Sequence, residues 1–171
     1  MADIDIFLPS IIELNDCEGN WNKFINAVYE IFEQDFVKSK PFFRGKKLSL
    51  KIHPVYQERA YTFYHMTHKG EDEQNREPDL RRCERIPWAK PIIENCDTWK
   101  LKVWEQNRKG KNRICIWFES EDNFDYIIIL DARKDYILPW TAYVMEHKHE
   151  KRKKQKEWEE YAKKAKTAQA S

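Results

Sequence analysis

The hydrophobic residues between positions 20 and 36 recur with the spacing of one helix face. They follow Asn20, a residue type that caps helix N-termini, and they are Trp21, Phe24, Ile25, Val28, Tyr29, Phe32 and Phe36. This stripe predicts an amphipathic helix whose apolar side lies on a sheet. Near the other end, residues 144–168 contain neither Gly nor Pro and are rich in Lys, Glu and Ala, which predicts a closing helix.

Several segments between these helices have the composition of β-strands. Residues 48–53 alternate apolar and polar side chains, and residues 60–66 are their expected neighbour. Four further strands are predicted at residues 99–104, 113–118, 126–130 and 136–143. Loops of hairpin length separate these four strands, so we expect them to form an antiparallel meander.

A polar stretch and a short helix are expected between the two groups of strands. Residues 67–78 include Gly70 and end in proline, which predicts a mobile loop. Asp79 is expected to cap a short helix that Pro87 stops, and residues 88–91 are expected to be irregular.

These elements together predict an α+β fold. An N-terminal amphipathic helix would pack on an antiparallel β-sheet of about five or six strands, and a basic C-terminal helix would close the chain. We expect an N-terminal extension over residues 1–19, a single α+β domain over residues 20–146 and a basic helix or tail over residues 147–171.

The composition is that of a charge-rich protein with a hydrophobic core. Of the 171 residues, 41% are hydrophobic and 14% aromatic, which is enough to build a core, while 35% are charged. No apolar run approaches the length of a membrane span, and the first residues carry acids where a secretory signal carries Lys or Arg. We therefore expect a cytoplasmic protein without a membrane partner.

The glycines exclude two classes of nucleotide-binding enzyme. The four glycines form neither a GxGxxG nor a GxxxxGK arrangement, so neither a dinucleotide fold nor a P-loop is expected. No CxxC pair exists among Cys17, Cys83, Cys96 and Cys115, and we expect reduced, apolar side chains rather than disulfides or a zinc site. No cofactor is expected.

The net charge of +2 conceals an uneven distribution. Acids exceed bases by five in residues 1–40, and bases exceed acids by five in residues 147–171. A basic end of this kind suits nucleic acid or an acidic partner, and it is equally typical of a solvated helix face.

Two of the five histidines stand within four residues of each other. His65 falls at the end of a predicted strand and His68 at the start of a predicted loop, where scaffolds often hold catalytic side chains. An imidazole can take a proton from a ribose 2′-hydroxyl or give one to a leaving 5′-oxygen. A hydrogen-bonded structural role is the alternative for each. No metal is expected, because His147 and His149 point apart on a helix and no HExxH motif is present.

The last predicted strand places a hydroxyl and a phenol on the same face. Thr141 and Tyr143 share one face, whereas Trp140, Ala142 and Val144 share the other, which has the character of a core face. The first pair stands just before the basic helix. It is either part of a site or an ordinary solvated sheet face.

Basic residues are interleaved with aromatic residues in three segments. Arg44, Lys46 and Lys47 follow Phe42 and Phe43; Arg81, Arg82 and Arg85 precede Trp88; and Arg133 and Lys134 precede Tyr136. Single-stranded RNA recognition requires cations for the phosphates and rings for the bases. Cation–π pairs that stabilise the fold would have the same sequence pattern.

Three segments of the chain resemble a family of nucleases. They are FRGKK (residues 43–47) continuing to His53-Pro54; TFYHMT (62–67) with DLRRCERIPW (79–88) and PIIE (91–94); and YIIIL (126–130) continuing to WTAY (140–143) and the basic helix. Together they resemble the RelE-like nucleases of phages and mobile elements, within the barnase, EndoU, colicin and RelE grouping. The resemblance covers roughly residues 20–161.

The resemblance implies helices packed on a four- or five-stranded antiparallel sheet and metal-independent RNA cleavage by 2′-hydroxyl attack on the adjacent phosphate. It assigns catalysis to Thr141, Tyr143 and His65, with His68 as the alternative histidine. The implied phosphate clamps are Arg133 and Lys134, or Arg113. The chain is much longer than a compact RelE toxin, and the segment that carries Arg81, Arg82, Arg85 and Trp88 has no counterpart there.

The function expected from the sequence is thus a toxin-type RNA endonuclease held in check by an inhibitor protein. The insertion leaves single-stranded RNA, tRNA and mRNA open as substrates. The alternatives are a non-catalytic nucleic-acid-binding module and a protein-interaction module whose basic helix docks on an acidic partner.

Overall fold

The amphipathic helix predicted at the start of the domain is confirmed. In the computed structural model, which describes residues 3–170, helix α1 (Trp21–Phe32) begins after Asn20, whose Oδ1 accepts a 3.0 Å hydrogen bond from the backbone N–H of Lys23. Four residues of its stripe, Phe24, Ile25, Val28 and Phe32, are buried, whereas Tyr29 is half-buried and Trp21 is exposed. A π-helical turn (Glu33–Lys38) continues the helix far enough to bury Phe36. Positions 1, 2 and 171 of the expected extension and tail lie outside the described residues.

A four-stranded sheet forms the second half of the fold. After α1 the chain forms β1 (Phe42–Phe43), β2 (Lys46–Lys47), α2 (Tyr61–Thr67), β3 (His68–Lys69), β4 (Glu77–Pro78), α3 (Leu80–Glu84), α4 (Ile86–Asn95), β5 (Lys102–Arg108), β6 (Lys111–Phe118), β7 (Asp125–Ala132), β8 (Ile137–Met145) and α5 (Lys148–Ala170). Strands β5 to β8 pair in that order, each antiparallel to the next. The predicted meander is therefore confirmed, and the fold is α+β.

The two faces of this sheet are covered by different helices. Ile116, Ile128 and Ala142 lie side by side on one face and belong to the main core, which also contains the buried residues of α1 to α4. Helix α4 lies on β6, whereas α1 packs on α3 and α4, so the predicted packing of α1 on the sheet is not confirmed. Part of the expected N-terminal extension is attached to the same core, because Pro9 accepts a 2.8 Å hydrogen bond from the indole of Trp88.

The C-terminal helix covers the other face. Trp158 and Tyr161 of α5 pack against a second cluster formed by Trp104, Cys115, Trp117, Ile127 and Met145. The helix begins at Lys148 rather than at residue 144, because Val144 and Met145, the first residues of the predicted helix, complete the pairing of β8 with β7. Within residues 3–170, no helix is both long enough and apolar enough to cross a membrane.

Two of the predicted strands are wrong. Residues 60–66 form helix α2, and residues 48–53 adopt no regular structure. The Leu48 N–H donates to the Pro41 carbonyl (2.9 Å), and the Ser49 N–H donates to the Ile137 carbonyl (2.8 Å). The main sheet in the described residues therefore has four strands, fewer than the five or six expected. These residues form a helix rather than a strand because four of the five buried positions of α2, residues 62, 63, 66 and 67, follow the helical repeat, and the helix packs against β8.

The connecting segments also differ from the prediction in detail. Residues 67–78 carry the short β3–β4 hairpin and a 3₁₀ turn (Glu73–Asn75) rather than an open loop. Asp79 caps α3 as predicted, since its Oδ1 accepts a hydrogen bond from Arg82 N–H at 3.2 Å. Pro87 does not stop the helical run: it lies in the first turn of α4, where a missing N–H costs nothing, so residues 88–91 are helical.

Candidate functional site

A cleft of about 860 Å³ lies against the outer side of α2. Its other walls are the start of α1, the loop around residues 54–59 and the segment from residue 73 to 78. Aromatic rings and imidazoles dominate the lining: Trp21, Tyr56, Tyr61, Tyr64, His65 and His68. The remaining ionisable groups of the lining are Arg59, Arg76 and Glu73.

Helical geometry places both histidines in the same wall. Tyr61, Tyr64, His65 and His68 are spaced i, i+3, i+4 and i+7 along α2 and its first following residue, so they share its outer side. The inner side of the helix is buried in the core. In a strand, residues 61 and 65 would face one side and residues 64 and 68 the other. The incorrect strand prediction therefore did not place these four side chains in one cleft.

The hydrogen-bond network assigns the proton of the His68 ring. The Thr67 hydroxyl donates to the Phe63 carbonyl at 2.6 Å, so toward the His68 ring it acts as acceptor. His68 Nδ1 lies 2.8 Å from this hydroxyl oxygen and therefore carries the ring proton. The lone pair is consequently on His68 Nε2.

His65 is packed between two aromatic rings. Only 4% of the residue is exposed, and its ring centroid lies 4.5 Å from that of Tyr61 and 4.9 Å from that of Trp140. Its Nε2 is buried without a hydrogen-bond partner, 3.6 Å from Oε1 of Glu73. The same carboxylate oxygen accepts a 2.7 Å hydrogen bond from the Tyr61 hydroxyl.

Both imidazoles are neutral at pH 7. Burial, reinforced by nearby guanidinium groups, lowers the pKa of His65 and that of His68 from 6.5 to about 4. Burial, followed by the hydrogen bond to Glu73, raises the pKa of Tyr61 to about 12, so the phenol keeps its proton. The Tyr61 hydrogen bond lowers the pKa of Glu73, which is therefore an anion.

The two arginines of the cleft make polar contacts that leave their charge available. Arg59 Nη2 donates to Oδ1 of Asn26 at 2.6 Å, and Arg76 Nη1 lies 3.5 Å from the His68 carbonyl. Arg76 Nε is buried without a hydrogen-bond partner. Neither guanidinium lies within 4.0 Å of a carboxylate among residues 3–170. The cleft thus offers two cations to an anion.

Thr141 and Tyr143, the other expected catalytic residues, do not line this cleft. Thr141 reaches it indirectly, by donating a 2.6 Å hydrogen bond to the backbone carbonyl of His65. Tyr143 packs with the cluster under α5, where burial raises the pKa of its phenol. Thr141 and Tyr143 share one face of β8, as predicted, opposite Ile129 and Ile127 of β7. Trp140 departs from the predicted pattern: it lies at a bulge and contacts His65 instead of joining the core with Ala142.

The expected phosphate-binding residues of the first half also lie outside the lining of the cleft. Arg44 makes a two-bond ion pair with Asp97, at 2.8 and 2.9 Å, and Lys46 is exposed on β2. Arg81 pairs with Glu84 at 2.9 Å. Arg82 comes nearest to the site, since it donates a 2.6 Å hydrogen bond to the His68 carbonyl.

Buried Arg85 and the arginines of the sheet are engaged inside the fold. Arg85 is 1% exposed and lies 3.3 Å from a Glu84 oxygen and 3.1 Å from an Asp122 oxygen. Arg113 and Arg133 share the buried carboxylate of Asp131, at 3.1 and 2.6 Å. Lys134 is exposed in the loop between β7 and β8. Most of the basic–aromatic pattern is therefore a structural one.

The described residues form neither a metal site nor a reactive thiolate at Cys83 or Cys115. No group of three or more His, Cys, Asp or Glu side chains within residues 3–170 is arranged to hold a metal ion. Cys83 and Cys115 are buried, and burial raises the pKa of Cys83 to about 12 and that of Cys115 to about 11, so both remain thiols.

Sequence reasoning missed Arg59, Arg76 and Glu73. The only available signal was their position within eight residues of the histidine pair, in segments read as an inter-strand loop and a polar loop. No protein-family model matches the chain, and neither a characterised protein nor a solved structure matches it significantly. The residues of the cleft therefore carry the functional inference.

Proposed function

We propose that the protein is a metal-independent RNA endonuclease whose reaction takes place in the α2 cleft. The observation that carries this proposal is the joint presence of two neutral histidines and two arginines without carboxylate partners in one aromatic-lined cleft. Arginines bind phosphate, aromatic rings stack on unpaired bases, and a neutral imidazole accepts a proton.

The reaction is an attack by the ribose 2′-oxygen on the adjacent phosphorus. His68 Nε2, which holds the ring's lone pair, takes the 2′-hydroxyl proton as the new oxygen–phosphorus bond forms. Arg59 and Arg76 stabilise the phosphate oxygens, which gain charge in the transition state. The bond from phosphorus to the 5′-oxygen then breaks, and that leaving oxygen takes a proton from solvent water, while the Tyr61 phenol keeps its proton and its hydrogen bond to Glu73. A 2′,3′-cyclic phosphate remains.

A bound phosphate would make His68 a better base. The positive charges of Arg59 and Arg76 help to lower the pKa of His68 in the empty cleft. A phosphate placed between these groups offsets their charge, so the pKa of His68 rises toward its ordinary value when the substrate binds. The imidazole is then poised for proton transfer near neutral pH.

The resemblance to RelE-like nucleases supports the same chemistry on partly different residues. In this proposal His68 is the base, His65 and Thr141 position the wall, and Tyr143 has no catalytic contact. We further propose that the protein acts in the cytoplasm on single-stranded RNA, tRNA or mRNA, and that an inhibitor protein restrains it.

The test is cleavage of a mixed RNA in EDTA by the wild type, by His68→Ala and by His147→Ala, an exposed histidine at the start of α5. We expect the wild type and His147→Ala to leave 2′,3′-cyclic phosphate ends. Loss of a general base should slow His68→Ala by about 100-fold or more, and a 2′-deoxy substitution at the cut site should block cleavage.

Three results would contradict the proposal. Undiminished cleavage by His68→Ala would remove the base from the mechanism. Binding of RNA with a steep salt dependence but without cleavage would show a binding module. Failure to bind RNA at low salt would exclude both readings and favour a protein-interaction module.

A further inference from the structure

Glu73 is the one carboxylate among the described residues that line the cleft. It stands on the 3₁₀ turn between β3 and β4, and 60% of its side chain is exposed. Its Oε1 is held by the Tyr61 hydroxyl at 2.7 Å, whereas Oε2 has no hydrogen bond within residues 3–170. The carboxylate is thus fixed at one oxygen and open at the other.

A fixed anion that lines a cleft for RNA can accept hydrogen bonds from the RNA. The phosphates carry only acceptors and repel a carboxylate, so the donors that remain are base edges and ribose hydroxyls. Among the four RNA bases, guanine alone presents two adjacent donors, N1–H and N2–H₂, on one edge. Oε2 is open, and Oε1 has a second lone pair beside the one that accepts from Tyr61. The two oxygens can therefore accept such a pair side by side, as carboxylates accept the two parallel donors of an arginine.

We propose that Glu73 makes the cleft selective for guanine. This inference rests on the proposed function only in that the cleft takes RNA. The N1–H and N2–H₂ groups of the base would donate to Glu73, while the phosphate meets Arg59 and Arg76. Adenine, cytosine and uracil offer at most one donor group on the matching edge, so the carboxylate loses one or both bonds to them.

The cleft also provides a ring on which the base can stack. Tyr56 is 58% exposed at the rim, and Trp21, on the neighbouring wall, is 36% exposed. The Tyr64 hydroxyl donates to the Tyr56 carbonyl at 2.7 Å, and the two rings meet edge to face with centroids 5.3 Å apart, which holds the Tyr56 ring in place. Stacking supplies affinity for any base, and the carboxylate supplies the choice among them.

Binding of oligonucleotides that cannot be cleaved tests this inference directly. The probes are fluorescent oligouridylates, 2′-deoxy throughout, with one central guanine, hypoxanthine or adenine. Hypoxanthine differs from guanine only by lacking the N2 amino group. We expect the wild type to bind the guanine probe about 10-fold or more tightly than either other probe.

Two variants distinguish the contribution of the Glu73 carboxylate to binding from an effect on folding. Glu73→Gln keeps the side-chain size and an acceptor for Tyr61 but replaces one oxygen by a donor, so the three probes should bind alike. Glu71→Gln, an exposed residue of the same hairpin outside the cleft lining, should keep the wild-type preference. Equal melting temperatures of the two variants would show that the change in preference does not come from unfolding.

The possible failures of this inference and of the nuclease proposal are distinguishable. Guanine-selective binding without cleavage of any RNA would support the guanine site and contradict the nuclease. Cleavage without base preference, or a preference that survives in Glu73→Gln, would overturn the guanine site and leave the nuclease standing. If no probe and no RNA binds, both are wrong.

Discussion

The hydroxyl of Thr141 donates a 2.6 Å hydrogen bond to the backbone carbonyl of His65, which lies 76 positions earlier in the chain. Thr141 belongs to β8, an edge strand of the sheet, and His65 belongs to α2, which packs along that strand. The bond therefore connects the sheet to the helix that forms one wall of the cleft. The helix also covers an edge that would otherwise be open to pairing with another chain.

Replacing Thr141 with valine should loosen this connection. Valine has nearly the same shape but cannot donate, so the His65 carbonyl loses its partner and the free energy of unfolding should fall by about 1 kcal/mol. Urea denaturation measures the loss, and the NMR signals of the His65 ring should shift. Thr141→Ser keeps a hydroxyl and is the control. Equal stability and an unmoved His65 signal in the valine variant would contradict a positioning role.

The stability of the protein should fall as the pH drops from 6.5 to 4. The pKa values of His65 and His68 are about 4 in the folded protein but 6.5 in the unfolded chain. Between these pH values the unfolded chain binds more protons, so their contribution is complete above pH 6.5 and is lost as the pH falls toward 4. Calorimetric melting between pH 7 and 4.5 measures this slope.

A double variant isolates the two histidines. His65→Gln with His68→Gln should reduce the dependence of the melting temperature on pH, whereas His147→Gln should retain the wild-type slope. NMR titration of the wild type should place the midpoints of both the His65 ring and the His68 ring well below 6.5. Midpoints at the ordinary value would show that the cleft does not disfavour the charged rings.

Neutralising Arg59 should weaken the binding of single-stranded RNA and its salt dependence. Arg59→Gln keeps a polar hydrogen-bond donor but has no charge for a phosphate. Each phosphate contact to a single strand contributes about 0.7 to the slope of log affinity against log salt, and the variant should lose about that amount. Fluorescence titration at several salt concentrations measures the slope. Lys111→Gln, at an exposed position of β6, should leave it unchanged, and an unaltered slope in Arg59→Gln would remove this contact.

Arg85 should be essential for stability rather than for binding. Its guanidinium, 1% exposed, neutralises the buried carboxylate of Glu84 and pairs with Asp122. Arg85→Ala would leave that carboxylate without a buried partner, at a cost of about 3 kcal/mol in the free energy of unfolding. Arg133→Ala, at a side chain that is 48% exposed, should cost less than about 1 kcal/mol. Urea denaturation compares the two, and similar losses would contradict the structural role of Arg85.

The elements predicted correctly are those whose pattern is local and long. The stripe of α1, the four strands of the meander and the closing helix each repeat their period over several residues, and Asp79 caps the helix that directly follows it. These periods reflect how one face of an element is buried, whatever the partner that buries it. These elements could therefore be predicted from the sequence without knowing the tertiary structure.

Residues 60–66 show where local pattern is insufficient. Their aromatic and β-branched side chains favour a strand, yet they form a helix because Phe63 and Met66 on one side reach the core while Tyr61 and His65 on the other side face the cleft. A segment of seven residues is too short to distinguish the helical repeat from the strand repeat. The free energy of packing against β8 therefore decides between helix and strand.

By itself, the sequence determined that this is an α+β chain with an antiparallel meander, two long helices and a close pair of histidines. Only the tertiary structure decided which side chains join those histidines. Arg59, Arg76 and Glu73 come from loops whose paths depend on α1 and α2. Thr141 and Tyr143, two positions apart on one face of β8, have different neighbours because α2 reaches Thr141 whereas α5 docks over the cluster that contains Tyr143. A site built from such segments depends on contacts between distant parts of the chain, and no periodicity records those contacts.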